Sequence, residues 1–335
     1  MITNLKDSPE LFEQTLVLIE ESFKYQAPNS FKTDFYPLIS TENRANNHII
    51  LNENNEVIAH VGCKIRTIQL ANKSFTIAML GGIAVAKDYR GSGLFQKLFS
   101  HVVSTYKEKV AFFLLWSDLE KLYNKFSFYL CGGQFELVSP KQGLATFTKT
   151  TFAEISNEEK EAIKKIYDES FKQTYLTLER AETDWNQISH ISSADLFINR
   201  VNGKIESYFL MNKGQDLSGI IYEYGSSKID SNFLKEISGH GKVWMGDNFL
   251  ENTEAQYQFF LSIGDEELFK EFISHYTDGK FQIRAYNFPK NEIFVDFEEE
   301  TLSFEIDDFL RGVFGPEKFE EVLTKPIFIS GLDSI

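Results

Sequence analysis

Arg90, Gly91, Ser92 and Gly93 bring together in four residues the groups that hold a phosphate. Two glycines let a backbone approach a ligand closely. A helix starting at Leu94 would add first-turn N–H groups that have no partner within the helix. The helix dipole favours an anion there, and the Arg90 guanidinium sets a fixed positive charge at the mouth. The chemistry implied is the capture of a diphosphate. Such a turn needs a strand in front of it and a helix behind it.

Both are present. MLGGIAVAKD, which leads into the turn, is apolar and β-branched up to a polar step and reads as a buried strand. Its Gly81-Gly82 pair marks a bulge or a close approach by another backbone. LFQKLFSHVVSTYKEK follows as a helix, with Leu94, Leu98 and Val102 at i, i+4 and i+8 and Phe95, Phe99 and Val103 one position behind. Residues 48–85, which include this strand, read as successive antiparallel strands that turn at 52–55 and at Asn72-Lys73. His60 points away from its neighbours Ala59 and Val61. It is either a proton acceptor or, as is commoner, a histidine satisfied within the sheet. Residues 111–116 form the next strand, and Ser117-Asp118 are expected to cap the helix after it.

The two blocks around this turn resemble the Gcn5-related N-acetyltransferase (GNAT) superfamily. Its acyl-CoA signature, Arg/Gln-x-x-Gly-x-Gly/Ala after a hydrophobic strand, is matched by Ile83, Ala84 and Val85 and then by Arg90, Gly91, Ser92, Gly93 and Leu94. Phe95 stands where the signature ends in Gly or Ala. The family's second block, a helix with Tyr-x-Lys-x-Gly-Phe, is matched by Tyr123, Lys125 and Phe128, with Ser127 in place of Gly. Two ordered blocks about thirty residues apart are far more specific than a lone Arg-Gly-x-Gly.

The resemblance implies an α/β (α+β) fold: a mixed, mostly antiparallel sheet flanked by helices, with a V-shaped splay that admits the pantetheine arm. It implies acetyl-CoA as cosubstrate, no metal, and transfer of the acetyl group to a primary amine by direct attack. Tyr123 would be the general acid that reprotonates the departing thiolate. No base stands out: Asp118 is the nearest acid in sequence, although a helix-cap or first-turn charge is its simpler reading. Relatives of the enhanced-intracellular-survival type place a terminal carboxylate at the catalytic tyrosine. Here that would be Ile335, the alternative being a tail that only packs the second domain. The rival reading is a non-catalytic acyl-CoA-binding module, to which Phe95 and Ser127 lend weight. A longer acyl group than acetyl is also compatible.

The 335 residues suit two domains, 1–150 carrying the acyl-CoA turn and 151–335 forming a second, degenerate GNAT-like domain or substrate wall. In the second half, Ser156 and Glu159 have capping-box spacing, a stripe of Ile163, Ile166, Tyr167 and Phe171 follows, and three strands and a helix echo the first half without a phosphate turn. FELVSPKQGLATFT is expected to form a hairpin around 140–143. Charge is uneven: the net −15 divides into +2 over residues 1–150 and −17 over 151–335. That is either a solvated surface or an electronegative wall for a cationic amine; it disfavours nucleic acid. Phe31, Phe35 and Tyr36 could line the cleft or pin a loop. Two isolated cysteines, no signal layout and no membrane-length apolar run fit a cytoplasmic protein. Acceptor identity and oligomeric state are not encoded in any motif.

Overall fold

The computed structural model describes residues 1–138, 147–248, 253–322 and 324–335. The chain opens with β1 (Ile2–Asn4), a 3₁₀ turn (Pro9–Leu11) and α1 (Phe12–Phe23), followed by the short α2 (Phe31–Asp34) and α3 (Tyr36–Ile39). Ser8 does not cap a continuous helix: Pro9 admits one 3₁₀ turn, and the α-helix starts after Leu11. β2 (Asn47–Leu51), β3 (Val57–Leu70) and β4 (Lys73–Val85) form an antiparallel meander. α4 (Leu94–Tyr106) crosses over to β5 (Phe112–Leu115), which lies parallel to β4, and α5 (Glu120–Tyr123) precedes β6 (Tyr129–Leu137). Leu98, Phe99, Val102 and Tyr106 are the buried face of α4. They pack on Val61, Leu80, Phe113 and Leu115 of the sheet, as the apolar periodicity requires.

The second half repeats this order. After β7 (Phe147–Thr150) and a helix capped by the Ser156–Glu159 box come β8 (Asp195–Val201), β9 (Lys204–Met211) and β10 (Ile220–Ser226), again antiparallel. A helix (Ser231–Ile237) then leads to β11 (Lys242–Met245), parallel to β10. In each half the parallel pair holds for two positions: Ala78↔Phe113 and Met79↔Leu114, then Ile220↔Lys242 and Ile221↔Val243. β12 (Glu254–Ile263) returns to lie between β5 and β6. The resulting sheet runs β1-β2-β3-β4-β5-β12-β6-β11-β10-β9-β8-β7, continuous through both halves, so the boundary expected at residue 150 falls inside one sheet. β13 (Phe281–Asn287), β14 (Glu292–Phe297) and β15 (Glu300–Glu305) make a separate small antiparallel sheet.

Two local expectations change. The hairpin around 140–143 lies outside the described residues, and its flanks are not partners: β6 pairs with β11 and β12, β7 with β8. The β3–β4 turn sits one residue earlier than expected, at Ala71-Asn72, because Leu70 pairs with Lys73. Ala71 is thereby held at φ 48°, left-handed backbone that costs a residue with a Cβ about 1–2 kcal/mol. Ala71→Gly, at an exposed turn, should therefore stabilise the protein by about 0.5–1 kcal/mol net of unfolded-chain entropy, read as a higher urea midpoint at unchanged slope.

Candidate active site

The site opens where β4 and β5 part. Beyond Met79 and Leu114 the two strands no longer pair, and β12 holds the other edge of β5 from Phe112↔Ile263 to Leu115↔Phe260. β4 stays on β3 as far as Val85 through a bulge between His60 and Gly62. Gly82, at φ +58°, forms that bulge, and its carbonyl lies 2.6 Å from His60 Nδ1. His60 is fully buried, and burial pushes its pKa down to about 4, so the neutral ring can donate to Gly82. It is a sheet histidine that fixes the bulge. The segment Leu80–Val85 is left with one free edge facing the opening.

At the end of β4 a 3₁₀ turn (Lys87–Tyr89) leads into the glycine turn. Arg90 Nε donates to the Val85 carbonyl at 3.1 Å, and the Ser92 hydroxyl closes back on the Tyr89 carbonyl. Gly91 and Gly93 have φ of +80° and +81°, and a Cβ built on either meets nothing within 4 Å. The glycines are needed for conformation and leave an open cradle. Gly93 is the N-cap of α4 and no side chain caps it, so the first-turn N–H groups face that space. The arrangement fits the diphosphate of an acyl-CoA. Phe95 does not obstruct it: its ring stacks on Phe99 at 5.1 Å and meets Tyr123 edge-on at 6.0 Å.

Between the splayed strands lies a cavity of about 740 Å³ lined by Leu80, Gly81, Gly82 and Ile83 on one side and Trp116, Asp118 and Tyr123 on the other. Tyr123 ends α5, buried against Phe99, Phe128 and Phe260, with Ser117 hydrogen-bonded to its hydroxyl. Burial pushes its pKa up to about 12, aided by the nearby Asp118 charge and opposed by Ser117. The phenol therefore keeps its proton throughout the neutral range. Ser117 and Asp118 do not cap α5. The N-cap is Leu119, whose N–H is taken by the Ser117 hydroxyl in a tight turn, and this leaves Asp118 on the cavity wall. Of the aromatic candidates, Phe31 and Phe35 line the cavity, while Tyr36 packs at a tilt against His190 instead.

Ile335 reaches the same cavity. A Cβ on Gly81 would lie 2.6 Å from the Ile335 carbonyl carbon, so glycine is required here by the close approach of another backbone. Buried charges hold the tail in this place. Lys213, 1% exposed, donates to the carbonyls of Gly331 at 2.7 Å and Ser334 at 2.6 Å, and lies over the Phe35 ring. Burial pushes its pKa down to about 7 against the pull of Asp333, Asp34 and Asp216. Asp333 receives Arg66 Nη1 at 3.1 Å and Arg180 Nη2 at 2.7 Å, and Arg180 in turn is paired with Glu223. Gln258 of β12 exchanges two hydrogen bonds with the Ile329 backbone. The tail thus ties β3 and β10 of the two halves together rather than packing the second half alone.

Sequence reading missed β12 altogether, and with it Phe260 behind Tyr123 and Gln258 under the tail. The alternation of Tyr257, Phe259 and Leu261 was the available signal. Lys213, Arg66 and Arg180 had none, since the tail residues they hold are more than a hundred residues away.

Burial alone would raise the Asp333 pKa, but Arg180 and Arg66 outweigh it and hold the carboxyl below its usual range. Its contribution to stability is present above the ordinary carboxylate pKa and is lost as pH falls. Asp333→Asn should cost about 3–5 kcal/mol in urea unfolding at pH 7, because two buried arginines lose a charge partner, and should reduce the loss of stability on acidification.

Residues 6–131 match the sequence model of the acetyltransferase (GNAT) domain. No curated protein matches the chain by sequence. Among solved structures, it is similar to a conserved protein of unknown function from Enterococcus faecalis described as a probable N-acyltransferase, with 15% identity, TM-score 0.58, and 91% of this chain and 85% of that one covered. A GCN5-related N-acetyltransferase from Anabaena variabilis, at 14% identity and TM-score 0.56, and Eis1 from Mycobacterium abscessus, at 12% and 0.56, are covered to the same shares. The fold is shared along most of the chain, and residues 6–131 are the part that is similar to the acetyltransferase (GNAT) domain.

Proposed function

We propose that the protein is an acyl-CoA-dependent N-acyltransferase that moves the acetyl group of acetyl-CoA to a primary amine. The observation that carries this reading is a cavity with the free edge of β4 on one wall and Tyr123 on the other, entered by the same strand that ends at the open glycine turn. The Arg90–Phe95 turn would hold the diphosphate, and the backbone of Ile83, Ala84 and Val85 would pair with the pantetheine arm. Acetyl-CoA supplies an activated thioester. The amine nitrogen attacks its carbonyl carbon, the N–C bond forms and the C–S bond breaks. Tyr123 delivers its proton to the departing thiolate and is reprotonated from solvent.

The proton released by the attacking amine needs an acceptor. Two groups on the wall are candidates: the Asp118 carboxylate and, if the chain ends at Ile335, the α-carboxylate that would then lie beside Gly81. Phe95 and Ser127, the departures that favour a mere binding module, leave the site intact: one backs Tyr123, the other supplies a left-handed turn at φ 58°. The second half, which repeats the strand–helix order without a glycine turn, is read as a degenerate copy that walls the acceptor side. A cytoplasmic setting would supply acetyl-CoA and keep the buried Cys63 and Cys131 thiols reduced.

Three experiments test this reading. Replacing both Gly91 and Gly93 with Val should abolish acetyl-CoA binding by calorimetry while the circular dichroism spectrum is retained; undiminished affinity would place the cofactor elsewhere. Tyr123→Phe should lower kcat by about a hundredfold or more with little change in acetyl-CoA affinity. Because a general acid must be protonated and the pKa of Tyr123 stands at about 12, the wild-type rate should show no falling limb between about pH 8 and 10. A loss of rate with a midpoint near 9 would assign the acid to another group.

A further inference from the structure

The cavity also carries information about its acceptor, on the reading that it is an acyltransferase site. Besides Tyr123, five aromatic side chains line it: Phe23, Phe31 and Phe35 from the α1–α2 layer, and Trp116 and Trp244 from the sheet side. The first three form a ladder, with ring centroids 6.3 Å apart for Phe23–Phe31 at 22° and 4.9 Å for Phe31–Phe35 at 30°. Phe23 is 43% exposed, an apolar side chain left at the edge of the opening. Among the described lining residues none is Lys, Arg, His or Glu, and the side-chain carboxylates are Asp118 and Asp216.

That inventory is selective. The half of the chain with net charge −17 contributes a single acidic side chain to the described lining, Asp216, so its many surface acids do not make an electronegative cavity wall. Burial, with Asp34 beside it, makes the Asp216 carboxyl a weaker acid than usual despite Lys213. A polycation would have to desolvate several ammonium groups against aromatic faces with too few counter-charges. An acceptor with its own carboxylate would meet Asp118 and Asp216 and no cation, since the Lys213 ammonium is turned away onto the Gly331 and Ser334 carbonyls. An apolar or flat body carrying one amine satisfies every wall: its rings or chain stack on the aromatic ladder, and its ammonium is attracted to the ring faces and to Asp118.

We propose that the acceptor is an apolar monoamine, an arylalkyl or alkyl amine, recognised by the Phe23–Phe31–Phe35 and Trp116–Trp244 surfaces, rather than a polyamine or an amino acid.

The test uses the full chain, with acetyl-CoA binding measured first by calorimetry and thiol release then followed with phenethylamine, octylamine, spermidine and phenylalanine. Phenethylamine or octylamine should give a kcat/KM at least about tenfold above spermidine and phenylalanine, the margin expected when an aromatic contact and one charge repulsion act together. Phe23→Ala, at a position exposed enough to leave the fold intact, should raise the monoamine KM about threefold with acetyl-CoA affinity unchanged. Preferential turnover of spermidine or phenylalanine would overturn the acceptor assignment and leave the transferase reading standing. Tight acetyl-CoA binding without thiol release from any of the four amines would overturn the transferase reading, and this inference with it.

Discussion

The site depends on β4 and β5 remaining paired at only two positions, Ala78↔Phe113 and Met79↔Leu114. A free strand edge inside a protein is costly, because its N–H and C=O groups need partners. Here three features sustain it. β12 satisfies the far side of β5, the His60–Gly82 contact fixes the β4 bulge, and the Ile335 end lies across Gly81 where a side chain would collide. The opening that results is shaped to take an extended, amide-bearing arm. The glycine turn and the uncapped start of α4 lie at the end of the same strand, so a ligand anchored by its phosphates would run along the free edge towards Tyr123.

The two halves are joined by more than a linker. β6 and β12 interleave strands from both, and the last residues of the chain sit in a cluster of buried charges drawn from β3, β9–β10 and the tail itself. Such clusters add little net stability over an apolar core, but they are intolerant of losing one member. Their value here is positional: Arg66 and Arg180 fix Asp333, Lys213 fixes the carbonyls of Gly331 and Ser334, and Ile335 follows. The second half therefore acts at the site through its geometry, although it lacks a phosphate turn of its own.

How much could be read in advance follows from how local each feature is. The Arg90–Gly93 turn, the helix behind it and the Tyr123 block are contiguous patterns, and all three stand where the pattern puts them. The Ser156–Glu159 capping box was legible for the same reason. Features made by distant pairing were not. β12 is inserted between β5 and β6, which its own apolar alternation could not foretell. Asp118 faces the cavity only because Leu119 takes the N-cap position, a matter of one residue in a tight turn. The net charge of the second half left two readings open, a solvated surface or a cleft wall, because composition does not say where acids lie; in the structure few of them line the cavity, whose described walls are rich in Phe23, Phe31, Phe35, Trp116 and Trp244.

The central claim, that the opening between β4 and β5 receives the acyl-CoA arm, is tested most directly by amide hydrogen exchange with and without acetyl-CoA. The account predicts protection concentrated at residues 80–85 on β4 and 91–96 at the glycine turn and the start of α4, with the equivalent positions of β10 and the helix that follows it unchanged. Protection confined to the second half, or absent from 80–85 at saturating acetyl-CoA, would contradict it.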